Sequence, residues 1–414
     1  MAAFGQTVRR WFNVSSAPDS KSSATSRLPH SGSQVTWLQQ GKPNWTARGY
    51  SALVREGYLK NSVAHRAVKM VSECAASLPL QVLRDTVDVS KSPAGRLLAR
   101  PNPAQDTVSF FETLYTHMQL AGNAYVEMVL GADGVPAELY LLRPDRMSVV
   151  PGSNGWPLAY EYKVAGRTHR FPVDSVTGRS NILHLKSFHP LDDHYGMSSL
   201  EAAAQSIDIF NATADWNKAL LDNAARPSGA LVFEPSDGQS GTLSDEQVTR
   251  LKAEMAEQFQ GSENAGRPFL LEGGLKWQSV GFSPMDMDFI NSKAVSAREI
   301  ALAFGVPPML LGLPGDNTYS NYQEANRALW RTSILPLVTK VMAGVDGWLM
   351  PRFGDGFTVS ADTHNIPALA VEREKLWSRL NSAKFMTLNE KRLAVGLPPI
   401  KGGDVLSAKS EVAS

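Results

Sequence analysis

The sequence predicts an α+β chain. Its first half mixes short strands with two helices, and its second half is dominated by long helices that flank a small α/β insert. Three observations carry that prediction. Apolar residues alternate with period two in several short runs between residues 78 and 187, each bounded by turn residues. Apolar residues then recur at three- and four-residue steps over long stretches from about residue 197 onward. A glycine- and proline-bearing loop, "FGVPPMLLGLPGDNTYSN" (Phe304–Asn321), separates two of the long helical segments.

The chain has 414 residues, 43% of them apolar and 20% charged, which is the composition of a folded globular protein. Its formal net charge of +1 conceals a basic N-terminus. Arg9, Arg10, Lys21, Arg27, Lys42 and Arg48 stand there against the single acid Asp19. The stretch is rich in Ser, Thr, Gly and Pro, so residues 1–49 read as a largely disordered arm. The arm is either a tail without a role or a segment that binds something acidic. The single cysteine, Cys74, excludes an internal disulfide and fits a reducing compartment; its apolar neighbours suggest a buried thiol. The N-terminus lacks the apolar core of a secretion signal. Lys340 and Asp346 interrupt the most apolar helix, Ile334 to Met350, so no membrane span is expected.

Taken in order, "NSVAHRAVKMVSECAAS" (Asn61–Ser77) has helical spacing and leads into "LPLQVLRD", which alternates like a strand. Thr107–Asn123 is a second helix with Gly122 as its stop. "AYVEMVL", the turn "GADG" and "AELYLLRPDRMSVV" read as a hairpin. "LAYEYKV", "THRFPV" and "NILHLKSF" are further short strands.

A long helix is expected from Met197 to about Ala225. Leu200, Ala203, Ile207, Phe210, Ala214 and Leu221 form its packing seam, and Glu201, Asp208, Asp215 and Asp222 form an acidic line beside it. That line is either a solvated face, a negative stripe opposite a polyanion, or a face paired with a neighbouring subunit. A compact β-α-β-β insert follows. Its strands are "ALVFEP", "RPFLLEG" and "LKWQSVGF", and its helix opens with the capping box Ser244–Gln247. Helix resumes from Asp286 to Phe304, with Ile290, Ala294, Ala297, Ala301 and Phe304 on the apolar face. After the loop, the longest helix runs from Tyr322 to about Met350 with a stripe of Leu335, Val338, Met342, Val345 and Leu349. Pro336 should kink it, because it removes the bond to the Thr332 carbonyl. Two helices close the chain, the second started by Thr387 and stopped at Gly396, and the last residues read as disordered.

The chain carries little catalytic vocabulary. "GSENAGRP" (Gly261–Pro268) has the glycine spacing of a phosphate loop, but Arg267 and Pro268 stand where Lys and Ser or Thr are required. His184, His189, Asp192, Asp193 and His194 suit a metal by type, but lie in a loop with Pro190 and Gly196. No nucleophile elbow, zincin helix or groove-reading helix is present.

"ARPNP" (Ala99–Pro103), "LAGNAYVEMV" (Leu120–Val129), "ILHLKS", "YGMSSLEAA", "FGVPPMLLG" and "YSNYQEANRALWRTSILPLV" follow one another in this order. The ordered set resembles the portal proteins of tailed bacteriophages, also found in prophages and gene transfer agents. The resemblance implies a portal fold: a wing at 50–196, stem helices at 197–226 and 284–305, and a clip at 227–283. It further implies a tunnel loop at 306–321, a kinked wing helix with its following segment at 322–364, crown helices at 365–400 and a tail at 401–414. It implies no enzyme and no cofactor. The implied assembly is a homo-dodecameric ring at a capsid vertex of the virion, put together in the bacterial cytoplasm. Double-stranded DNA would pass through that ring without sequence readout. Terminase large subunit, a head–tail adaptor and the major capsid protein are the implied partners.

On this reading Val306, Pro307, Pro308 and Met309 form the stiff base of the loop. Gly312, Leu313, Pro314, Gly315, Asp316, Asn317, Thr318 and Tyr319 form the part that meets DNA. Each phosphate paired with Lys or Arg adds affinity through counterion release, and the stretch contains neither residue. Two rival readings stand beside it: another virion component such as an adaptor or capsid protein, and a metal-dependent hydrolase using His184, His189 and His194.

Overall fold

The computed structural model describes residues 43–406, except 86, 223–228, 234–245, 247–248, 251–274, 280–287, 316–317, 364–365 and 398. The basic arm up to Lys42, the phosphate-loop-like stretch Gly261–Pro268, nearly all of the insert's helix, its strand "RPFLLEG", and the tail from residue 407 lie outside the described residues.

A short helical turn, Tyr50–Leu53, runs into a π turn, Val54–Leu59; neither was assigned from sequence. Asn61 then starts helix α1 (Ser62–Ala76), its side-chain oxygen accepting from the backbone N–H of Val63 and Ala64. Strand β1 (Leu80–Arg84) and the short β2 (Val87–Asp88) follow. Helix α2 (Pro93–Ala99) has proline in its first turn, where the missing N–H costs nothing. Helix α3 (Thr107–Ala121) is capped by Asp106 and stopped by Gly122 at φ 68°. A Cβ on Gly122 would lie 2.5 Å from the Gly196 carbonyl oxygen, so close approach and left-handed backbone both demand glycine.

Strands β3 (Asn123–Leu130) and β4 (Pro136–Leu142) form the expected hairpin. Its second arm ends sooner than expected. Pro144 fixes φ and lacks a donor, and the chain leaves the sheet through a 3-10 turn at Pro144–Arg146. Strand β5 (Met147–Pro151) therefore joins a separate antiparallel sheet with β6 (Pro157–Val164) and β7 (Arg167–Pro172). Strand β8 (Ile182–Lys186) returns to the first sheet on the free side of β3.

The long helix divides. A turn at Ser199–Ala202, capped by Ser198, is broken at Ala203, and α4 runs Ala204–Asp222. Strands β9 (Gly229–Phe233) and β10 (Leu275–Ser279) pair antiparallel, the two outer strands expected of the insert. Helix α5 (Phe289–Ala303) packs along α4. Its buried face is Ala297, Ile300, Ala301 and Phe304, whereas Ile290 is 87% exposed and drops out of the predicted stripe. Beyond the loop come α6 (Tyr319–Leu329), a π turn at Trp330–Ile334 and α7 (Leu335–Leu349). The five-residue π turn sits just before Pro336, so the disturbance expected from that ring takes the form of a widened turn.

Tyr319–Arg352 is long and apolar enough to cross a membrane. Its stripe Val338, Val341, Met342, Val345 and Leu349 is nevertheless buried in the core. Strand β11 (Phe357–Ala361) pairs antiparallel with β1 in the order β11-β1-β2 and was not expected. Asp346 anchors it by accepting from the Val359 N–H at 2.7 Å. Helices α8 (Ala370–Ser382) and α9 (Leu388–Ala394) close the fold, with the capping box at Thr387 and Glu390.

One large core joins the helices, and a smaller cluster of Tyr125, Leu142, Met147, Tyr160 and Ile182 joins the two sheets of the first half. Val68, Leu114, Ile207, Ile300, Ile334 and Val345, from five helices and the π turn, belong to a single buried cluster. Asn61 and Asn211 are buried side by side within it, Asn61 Nδ2 donating to Asn211 Oδ1 at 3.1 Å. Asn211 Nδ2 in turn donates to the Glu56 carbonyl. The α4–α5 pair therefore grows out of the same core as α1 and is held to it by a satisfied polar link.

Candidate functional site

The loop between α5 and α6 is held from both sides at its base. Phe304 ends α5, and Gly305 turns the chain at φ 65°. Val306 is buried and its N–H donates to the Ala301 carbonyl. A 3-10 turn over Pro308–Leu311 follows, closed by Gly312 at φ 72° and by the Leu313 N–H donating to the Pro308 carbonyl. Two side chains that sequence reading missed fasten this unit. Ser333, in the π turn, donates its hydroxyl to the Gly305 carbonyl at 2.6 Å. Arg298, on α5, donates Nη2 to the Pro314 carbonyl at 2.7 Å. Their sequence signal is weak, because both partners are backbone carbonyls that any residue could supply.

Gly315 is open: a Cβ there would meet nothing within 4 Å. Asp316 and Asn317 lie outside the described residues. Thr318 is the N-cap of α6, accepting from the Asn321 N–H, and Tyr319 is the first helical residue. The loop expected over 306–321 is therefore shorter, its last residues belonging to the helix. Thr318 is a favoured capping type, a signal the sequence reading passed over. Tyr319 stands 79% exposed at the helix start, its hydroxyl accepting from Gln323.

The acidic line Glu201, Asp208, Asp215 and Asp222 is largely engaged with the chain's own residues. Asp208 accepts from the Thr46 N–H at 2.8 Å and hydroxyl at 2.5 Å. Asp215 pairs with Lys60 at 3.0 Å, and Asp222 with Lys218 one turn away. Arg48 donates to the Glu201 carbonyl at 3.1 Å. The segment Thr46–Arg48 is thereby strapped along α4. These partners favour the plain reading of the line as a surface tied to nearby groups.

The candidate metal ligands are dispersed. His184 stacks on Tyr125 at 4.3 Å between ring centroids, with its Nε2 3.0 Å from Asn123 Oδ1. Burial, aided by Lys186 and His194, pushes it down to about 3, so it is a neutral core residue. His189 Nδ1 accepts from the Leu191 N–H. Asp192 Oδ1 accepts from the N–H groups of His194 and Tyr195. Among the described residues no group of three or more His, Cys, Asp or Glu is placed to hold a metal ion. Burial and the adjacent Glu73 push the Cys74 thiol up, away from the thiolate a nucleophile needs.

The described residues thus comprise a helix pair with a small β module, a loop pinned at its base, and a long helix returning to a shared core. The chain belongs to the phage portal protein family, whose profile matches residues 62–396. It is 26% identical over 387 residues to the portal protein of Enterobacteria phage HK97, covering 88% of this chain and 86% of that one. It is also similar to a chain in the neck of an empty gene transfer agent particle computed with C6 symmetry. That match has 50% identity and TM-score 0.67, covering 87% of this chain and 96% of that chain. A chain in the neck of the native particle, computed with C12 symmetry, matches with the same identity and coverage and TM-score 0.65. The chain is thus a portal protein of a phage or phage-like particle, a virion component and not an enzyme.

Proposed function

We propose that copies of this chain close into a dodecameric ring in the particle neck, and that double-stranded DNA passes through its centre. The α4–α5 pair is the stem, and the module of β9 and β10 is the clip, which meets terminase large subunit and later a head–tail adaptor. The outer strands are the wing that faces the major capsid protein. The C6 and C12 symmetry of the gene transfer agent necks supports the ring. One observation carries the channel: from Gly305 to Tyr322 there is no Lys or Arg, and this stretch rises from a base fixed by Ser333 and Arg298. A surface that touches a moving polyanion must exclude it sterically without pairing with its phosphates, since each such pair adds salt-dependent affinity.

The test is Gly315→Lys, at a site with open space for a side chain. The variant should form rings as the parent does, while particles made with it carry less DNA and recover with rising ionic strength. Packaging at the parental level, or an electron-microscopy map placing residue 315 on the outside of the ring, would refute the channel assignment.

A further inference from the structure

A polar cavity of about 320 Å³ lies where β3 meets the loop between β8 and the Ser199–Ala202 turn. Tyr125 of β3 forms part of one wall, and His189, Asp192 and Tyr195 of that loop form another. Arg48 and Glu201 stand across from them in the lining. Tyr125 is 1% exposed, and among the described residues its buried hydroxyl has no hydrogen-bond partner. A buried phenol ordinarily finds one. Burial first, and then Tyr195, Tyr160 and Asp192, push its ionisation up, so the group stays a neutral phenol. Two of those three neighbours line the cavity. The Tyr195 hydroxyl differs, because it already accepts from the Val149 N–H at 2.9 Å.

The charges of the lining do not cancel. Asp192 spends Oδ1 on the N–H groups of His194 and Tyr195, which leaves Oδ2. Glu201 is engaged through its backbone, its N–H donating to Ser198 Oγ and its carbonyl accepting from Arg48. No partner is shown for its carboxylate among the described residues. Arg48 therefore gives a donor to a carbonyl rather than to a carboxylate. His189 Nδ1 accepts from the Leu191 N–H, so that nitrogen holds no proton and the ring adds no charge. Two negative groups thus face one positive group around the cavity. Beside it, in the same loop, Phe188 and Leu191 are 83% and 91% exposed.

We infer that this cavity takes the guanidinium of an arginine side chain, presented by a polypeptide whose apolar neighbours rest on Phe188 and Leu191. A guanidinium offers five N–H donors in a rigid planar fork and needs no acceptor. It supplies donors at once to Asp192 Oδ2, to the Glu201 carboxylate and to the Tyr125 oxygen, which come from different segments. An ammonium radiates its three donors from a single point and serves such a spread of acceptors less well. An anion would face two carboxylates, and an apolar group would leave the Tyr125 hydroxyl unpaired. The bound arginine bridges β3 and the turn that opens into α4, and the site does not depend on the channel proposed above.

Fluorescence anisotropy tests this with a labelled peptide, QTVRRWFNVS, the sequence of residues 6–15, which joins two arginines to two aromatic residues. The receptors are the full chain and a full chain carrying Arg9→Gln and Arg10→Gln, which lacks those two competing arginines. Saturable binding to the second receptor is expected, and glutamine in place of both peptide arginines should weaken it about tenfold or more. Lysine in their place should weaken it less. In that receptor Asp192→Asn, which keeps an oxygen for the two N–H groups, should weaken binding. Tyr125→Phe should weaken binding too without lowering the thermal midpoint, because the hydroxyl has no partner to lose in the free chain. No binding, equal binding of the glutamine peptide, or parental affinity in either of these variants overturns the site. Parental affinity in Tyr125→Phe is the result expected if ordered water alone fills the cavity. Weaker binding to the unaltered chain than to the second receptor upholds the site with Arg9 or Arg10 as the source of the guanidinium. Equal binding to both receptors upholds it with another polypeptide as the source.

Discussion

Gly305→Ala probes whether the loop base is a fixed platform. Gly305 adopts φ 65°, and a Cβ there would lie 2.5 Å from Ser333 Oγ. The left-handed backbone costs a non-glycine residue roughly 1–2 kcal/mol. The new methyl must also displace the Ser333 hydroxyl from the Gly305 carbonyl, losing about 0.5–1 kcal/mol, the low end because the bond is exposed. The sum is about 1.5–3 kcal/mol, a fall in thermal midpoint of roughly 2–4 °C for a unit of this size. Ser333→Ala alone removes only the hydrogen bond and should cost about 1 kcal/mol or less. In the double variant the clashing oxygen is gone, so the two changes should cost less together than their sum, leaving chiefly the backbone term. Thermal unfolding of the four chains, followed by circular dichroism, reads the cycle. Strict additivity, or a Gly305→Ala midpoint within a degree of the parent, would show that Ser333 does not hold this turn.

Two further outcomes follow from the buried polar groups. Asn61→Ala removes the cap of α1 and leaves the buried Asn211 Oδ1 without its donor; denaturant titration should show a loss of about 2–4 kcal/mol, and Asn61→Asp should restore the cap but not the link to Asn211. Burial holds His184 at about 3 and His117 at about 4, both below the ordinary 6.5. The unfolded chain therefore binds protons first as pH falls from about 6.5 toward 4, and stability should drop through that window by at most about 1.4 kcal/mol per pH unit per histidine. His184→Phe should flatten the slope of midpoint against pH, and an unchanged slope would exclude His184 as a contributor.

Much of this architecture was legible because it rests on local rules. The Asn61 cap, Gly122 stop, Thr387 capping box and three-and-four spacing of Val338 to Leu349 are properties of segments shorter than about twenty residues. What escaped was non-local. Strand β11 exists because its register from Phe357 to Ala361 matches a strand some 270 residues earlier, and five residues of modest pattern do not announce that partner. The split of the second hairpin arm at Pro144 was visible in principle and was overridden by the apolar run on either side. Ile290 fits the helical period of α5 but is 87% exposed among the described residues. At the loop, the glycines and prolines were readable, whereas Ser333 and Arg298 act on carbonyls and leave no pattern.

Two cations on α5, Lys293 and Arg298, bear on whether the loop surface grips a polyanion. Lys293 lies with its ammonium 5.0 Å from the centre of the Phe210 ring. Arg298, further along the same helix, spends a donor on the Pro314 carbonyl. Among the described residues neither is shown paired with a carboxylate, and each is turned to a neutral partner belonging to the chain's own framework. A phosphate drawing Arg298 away would have to break the contact that fixes Pro314, loosening the loop at the moment of binding. Arg298→Ala separates the two roles: it removes one positive charge beside the loop and also frees the loop. If the charge dominated, DNA retained by isolated rings would fall with little change in loop order. If the tether dominates, as the 2.7 Å bond to a backbone carbonyl implies, density for residues 312–315 should weaken in ring reconstructions, and Arg298→Lys, which keeps the charge but not the planar fork, should resemble Arg298→Ala.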